Sequence, residues 1–126
     1  MKFKTVFLLR FVFSLCFTAC GEEAKRPVDY PNTAWACTDG EINFSVADNG
    51  TVENASLLNK NGDTVKVKIV FSEASEKKAS FYSEDGKELY FSGTCSYGES
   101  SFTLTVSDIY NSDFSYLPPM LTFKTK

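Results

Sequence analysis

Four cysteines and no histidine set the chemistry open to this 126-residue chain. Without an imidazole there is no Ser-His-Asp or Cys-His relay, no imidazole metal ligand, and no access to the commonest general base. An enzyme would have to work with carboxylates, hydroxyls, lysines and thiols. The thiols, at Cys16, Cys20, Cys37 and Cys95, include no Cys-x-x-Cys pair, which argues against a redox role. Oxygen ligands of the kind a hard cation takes cluster at Asp39, Glu41, Asp48, Asn49 and Glu53. Their spacing meets no EF-hand or repeat pattern, so they read as solvated turn residues. We therefore expect no catalytic residues, no metal and no cofactor.

Stepping outward from the cysteines, Cys20 ends the one long apolar run. Lys2 and Lys4 form a positive start, and residues 5 to 19 are apolar apart from Thr5, Arg10, Ser14 and Thr18, which is the layout of a secretory signal. The run is too short and interrupted for a comfortable membrane span. Phe17-Thr18-Ala19-Cys20 resembles the bacterial lipobox. That resemblance implies cleavage before Cys20, diacylation of its sulfur, and a protein held on a bacterial membrane outside the cytoplasm. Two acyl chains anchor firmly where one does not. Loss of residues 1–19 removes Lys2, Lys4 and Arg10, leaving ten basic against sixteen acidic residues and a net charge of −6. Such a balance argues against a nucleic-acid partner. Residues 20–33, rich in charge and broken by Pro27 and Pro31, read as the lipidated N-terminus and a tether to a domain over 34–126.

From Trp35 onward the apolar period is two, and no segment shows a helical period. The clearest run is Thr64-Val-Lys-Val-Lys-Ile-Val-Phe71, with Val65, Val67, Ile69 and Phe71 facing one way. Turn signals at Asn49-Gly50, Asn61-Gly62, Asp85-Gly86 and Tyr97-Gly98-Glu99 separate about eight short strands. The expected fold is all-β, a small antiparallel up-and-down meander that closes into a barrel and so hides its edges. Pairing inward Phe81 with inward Phe91 places Tyr82 opposite Tyr90, across a loop Asp85-Gly86-Lys87. Two-residue turns at both Asn49-Gly50 and Asn61-Gly62 would force Leu57 and Leu58 onto one face. A bulge within residues 53–58, or one longer loop, must resolve this.

Once Cys16 leaves with the leader and Cys20 carries lipid, Cys37 and Cys95 remain. Alternation turns both inward, in a domain expected to be exported. A Cys37–Cys95 disulfide is the favoured reading, with two reduced core thiols as the alternative.

Taken together, the lipobox leader, polar tether, Trp-bearing first strand and final Leu121-Thr-Phe-Lys124 resemble the lipocalin-like and lysozyme-inhibitor-like barrels of small bacterial lipoproteins. The Ser-Gly-x-x-Tyr inhibitory motif of the latter group is absent, so no inhibitory residue carries over. The interior expected for the barrel holds Trp35 and six phenylalanines (44, 71, 81, 91, 102 and 123), which would fill it. Aromatic residues Tyr110, Phe114 and Tyr116 gather in the longest loop, with outward Tyr82 and Tyr90 able to extend them. They read either as a recognition surface on a rigid scaffold or as a plug for one barrel end. The resulting expectation is a monomeric, non-enzymatic, membrane-anchored binding module whose partner is an unidentified protein or small molecule. The alternatives are an apolar-ligand carrier and a secreted hydrolase inhibitor acting through residues 108–119.

Overall fold

Strand after strand, the apolar alternation is converted into a wall with one dry face. The structure is a computed structural model and describes residues 25–126. Eight strands follow one another: β1 (Thr33–Cys37), β2 (Ile42–Val46), β3 (Val52–Leu58), β4 (Thr64–Phe71), β5 (Lys78–Ser83), β6 (Leu89–Tyr97), β7 (Ser101–Ile109) and β8 (Met120–Thr125). Each pairs antiparallel with its neighbours in sequence, and β8 pairs back onto β1, so the meander is a closed barrel. One end carries the connections β1–β2, β3–β4, β5–β6 and β7–β8. The other carries β2–β3, β4–β5 and β6–β7, together with residues 25–32.

The registers match the alternation where it is regular and depart from it at bulges. Phe81 lies opposite Phe91 as expected, but Tyr82 faces Leu89 rather than Tyr90. The reason is loop length. Ser83 N–H donates to the Glu88 carbonyl, leaving four loop residues, and an extra β6 residue restores the phase. The conflict between Leu57 and Leu58 is resolved in favour of Leu57, which is fully buried opposite Val65. Both candidate devices are used. The β2–β3 and β3–β4 hairpins close through Ala47 to Thr51 and Asn59 to Asp63, longer than two-residue turns, and β3 bulges against β2 with Asn54 at φ +55°. Asparagine tolerates this left-handed conformation better than other non-glycine residues.

Inside, ring packs on ring. Phe81 and Phe91 stack with centroids 4.4 Å apart, Phe102 and Phe123 at 4.6 Å, and Trp35 lies between Phe44 and Phe102. Of the seven expected interior rings only Phe71 is less than fully buried, and it still packs on Phe44 and Phe102. Among the described residues no polar or charged residue is buried in this interior. Each such ring contributes roughly 2–3 kcal/mol of hydrophobic stabilisation, before any gain from ring geometry.

The tether boundary needs correction. Residues 26–32 belong to the domain. Pro27 is fully buried in a 3-10 turn, Pro27–Asp29, and the Arg26 guanidinium both pairs with Asp29 at 3.1 Å and donates to the Ser72 carbonyl at 3.1 Å. The prolines that exclude a strand here are well suited to such a cap.

Gly93 shows what the barrel curvature demands. A Cβ there would run into the Thr105 carbonyl oxygen and within 2.8 Å of the Leu104 side chain, at the bulge where β6 bends against β7. Neither neighbour is free to move far. Gly93→Ala is expected to cost about 2 kcal/mol, lowering the thermal midpoint by roughly 10 °C in a domain of this size; an unchanged melt would refute the close approach.

Candidate functional site

The end of the barrel bearing the β7–β8 connection gathers all five candidate aromatic residues, Tyr82 and Tyr90 on its wall and Tyr110, Phe114 and Tyr116 on the loop. Because β7 parts from β8 above Thr105 and Met120, the chain from 110 to 119 is free to fold across the mouth. It does so through a 3-10 turn, Ser112–Phe114, whose first free N–H, from Asp113, is accepted by the Asn111 side chain at 2.9 Å.

Phe114 points down this mouth and is buried, its ring 4.6 Å from Tyr90 and 6.0 Å from Phe91. It is a plug, and this corrects its place in a recognition surface. Leu117 is buried beside it. The loop is pinned on three sides. Tyr116 hydroxyl donates to the Leu58 carbonyl at 2.5 Å, Asn111 donates to the Glu88 carboxylate at 2.8 Å, and Lys60 meets Asp113 at 3.6 Å. Gly40 makes room for it, since a Cβ at that position would lie 2.9 Å from both Leu117 and the Tyr116 hydroxyl. Its φ of +68° independently favours glycine.

What remains outside is a fringe. Tyr110 is 60% exposed and Tyr116 44%, while Tyr82 and Tyr90 are half-buried on the wall. Burial, then the nearby Glu41 carboxylate, raises the Tyr116 phenol above its ordinary value, and burial followed by Glu88 does the same for Tyr90. Two further residues complete the fringe, Ile109 at 40% and Met120 at 56% exposure. A signal for them exists in the sequence: Ile109 is out of step with Phe102, Leu104 and Val106, and Met120 with Leu121 and Phe123. Beside Ile109 runs an open groove of about 220 Å³, lined by Val106, Ser107, Ile109, Leu117, Pro118 and Pro119. Of the five strongly exposed large apolar residues among those described, four belong to Ile109–Met120; only Val70 lies elsewhere.

Protein-family models, curated proteins and solved structures contain no match to this chain. The site must therefore be read from its own chemistry. Its functional potential is that of a contact surface, with apolar and phenolic groups held on a pinned loop.

The other candidate residues lie apart from this rim. Cys20 falls outside the described residues. The expected Cys37–Cys95 bridge is corrected: both side chains do point inward and are buried, but both are free thiols. Cys37 ends β1 at the plugged mouth, whereas Cys95 lies on β6 near the opposite end, three strands away around the barrel. A shared face does not imply a shared position. The acidic and amide residues also separate, with Asp39 and Glu41 at one end and Asp48, Asn49 and Glu53 at the other. Among the described residues no cluster of three or more metal-ligating side chains forms.

Burial pushes the Cys95 thiol up to about 11 and the adjacent Tyr97 phenol far above its usual range. The Tyr97 hydroxyl is buried without a well-formed hydrogen bond. Folding thus holds both protons on. The Cys95 share of that stability is complete below the ordinary thiol value and is lost as pH rises through about 9 toward about 11, and the Tyr97 share is lost at still higher pH. Thermal midpoints should be flat near neutrality, fall over that alkaline window, and fall less steeply in Cys95→Ala; a fall of equal steepness would refute the assignment.

The plug and the fringe separate in mutagenesis. Phe114→Ala should destabilise the domain by about 3 kcal/mol or more, while Tyr110→Ala should stay within about 0.5 kcal/mol of the parent. Chemical denaturation of the two variants measures this directly, and equal losses would mean that Tyr110 is also a packing residue.

Proposed function

We propose that the chain is a bacterial lipoprotein, anchored outside the cytoplasm by lipid on Cys20, whose barrel is a non-enzymatic interaction module presenting the Ile109–Met120 rim to a protein partner. The observation that carries the binding reading is the concentration of exposed apolar side chains on that one loop, where a rigid scaffold holds them at little further entropic cost. The anchoring reading rests on the leader and Phe17-Thr18-Ala19-Cys20.

A surface is favoured over a cavity because the interior rings are in mutual contact and leave the carrier alternative without support. The hydrolase-inhibitor alternative would use the same loop, but through Tyr110, Tyr116 and Met120, since Phe114 is withdrawn into the plug.

Expressed in its native host, the protein should be recovered from the membrane fraction with a mass that starts at Cys20 and includes acyl chains. Reduction should leave that mass unchanged. Cys20→Ser should abolish the acylation. A mass without lipid, or one retaining residues 1–19, would overturn the anchor. For the rim, a photoreactive residue at position 110 should give discrete protein adducts in intact cells, whereas the same group at position 66 on the barrel wall should not; adducts from both or neither would overturn the surface.

A further inference from the structure

Whether an anchored barrel can turn either end to the bilayer depends on how far its attachment reaches. Among the described residues, the polar attachment nearest Cys20 is Arg26, whose guanidinium is fixed between Asp29 and the Ser72 carbonyl, and Pro27 is buried directly after it. The Pro27–Asp29 turn lies among the β2–β3 and β4–β5 connections, with the Val28 carbonyl 3.3 Å from where a Cβ on Gly50 would stand. This is the end opposite the plugged mouth. Six peptide steps separate Cys20 from Arg26, so the chain between them spans at most about 20 Å. The nine residues of β7, tilted as barrel strands are, rise roughly 20 Å, and the turns at both ends bring the full height to about 25 to 30 Å. The attachment is shorter than the barrel.

Charge adds an independent constraint. At the mouth, residues 38–41, 59–63, 84–88 and 108–119 carry eight carboxylates against Lys60 and Lys87, a net of −6. At the other end, residues 25–32, 47–53, 72–78, 98–100 and 124–126 carry six acidic and six basic side chains and balance. A surface of anionic headgroups repels the first end and not the second.

Resting on the anchoring reading above, we infer that the barrel has a polarity on the membrane: the Pro27–Asp29 end is held next to the lipid headgroups, and the plugged mouth, with its apolar fringe, is kept from docking face-down on them. A lipid attached at Cys20 cannot bring the mouth face-down onto the bilayer, because the chain would have to run back along the whole barrel wall, farther than it extends. The partner of the inner end is therefore a lipid surface, and the fringe is the part of the barrel most accessible to other molecules.

The lysines report this without labels. Lys77, Lys78 and Lys126 are exposed at the inner end, and Lys60 and Lys87 at the mouth. The lipidated protein is bound to phosphatidylcholine vesicles and acetylated with a water-soluble ester, and rates are read at each lysine by mass spectrometry. The reference is a variant on the same vesicles with about twenty Gly/Ser residues inserted after Gly21, long enough to release the constraint. The three inner lysines should react roughly threefold or more slowly with the native spacing, while Lys60 and Lys87 stay within about 1.5-fold. Inner lysines unchanged by the insertion, or mouth lysines slowed as much, would overturn the polarity. The mass at Cys20, taken from the same sample, separates the two failures. A lipidated protein with uniform rates overturns the polarity alone, and an unlipidated protein that stays off the vesicles overturns the anchor and the polarity with it.

Discussion

The whole domain depends on joining its first strand to its last. Eight antiparallel strands left as an open sheet would expose two edges of unpaired backbone, and the interior rings would have no opposing wall. The seam that prevents this is short. Trp35 pairs with Thr125 and Ala36 with Lys124, with one further hydrogen bond from Lys126 N–H to the Ala34 carbonyl. Little backbone holds β1 to β8, so the closure is secured from inside. Trp35 sits on the seam strand, donates its ring N–H to Thr33 at 2.9 Å, and packs against Phe44 and Phe102 from two other strands. The indole thus ties β1 through the interior to β2 and, beyond the seam strand, to β7.

Closure also dictates where surface chemistry is available. The wall alternates rings inward with lysines, serines and threonines outward, a pattern that leaves little scope for a specific site. Only the ends escape that alternation, and the structure treats them differently. One is sealed by residues preceding β1, through buried Pro27; the other by residues preceding β8, through buried Phe114. The second seal is made by a longer segment, so it has residues to spare. The same loop that plugs the mouth with Phe114 and Leu117 displays Tyr110, Tyr116 and Met120 on its outer side.

Period-two alternation was enough to read the fold class, the strand count and the facing of nearly every core residue, because a strand with one buried face allows no other pattern. What it could not carry is position along and around the barrel. Alternation turns Cys37 and Cys95 inward, as the structure has them, yet inward on two strands fixes neither height nor azimuth, and the two thiols are far apart in both. Tyr82 and Tyr90 failed for a related reason. The four-residue loop between β5 and β6 forces a bulge, and nothing in Leu89-Tyr90 announces which residue is extra. Phe114 was legible as a loop aromatic with two readings, and only the geometry of the mouth chooses between them. The polar, proline-broken stretch before β1 resembled linker in composition, but its cap is built from an arginine fork and a buried ring, features that composition does not record.

The seam has one more consequence, in time rather than in space. Trp35 and Thr125 are the ends of a contact that spans almost the entire domain, whereas every other strand pair joins neighbours in the chain. As the chain emerges from its N-terminal side, the hairpins from β1 to β7 are available to form one after another, but none of them can shut the cylinder, and until β8 is present β1 and β7 remain open templates. The domain thus passes through an interval in which it is mostly paired and still adhesive, with its longest loop closure reserved for the end. How quickly the last six-residue strand finds its slot, rather than how stable the finished barrel is, sets how long the chain needs protection from its own kind.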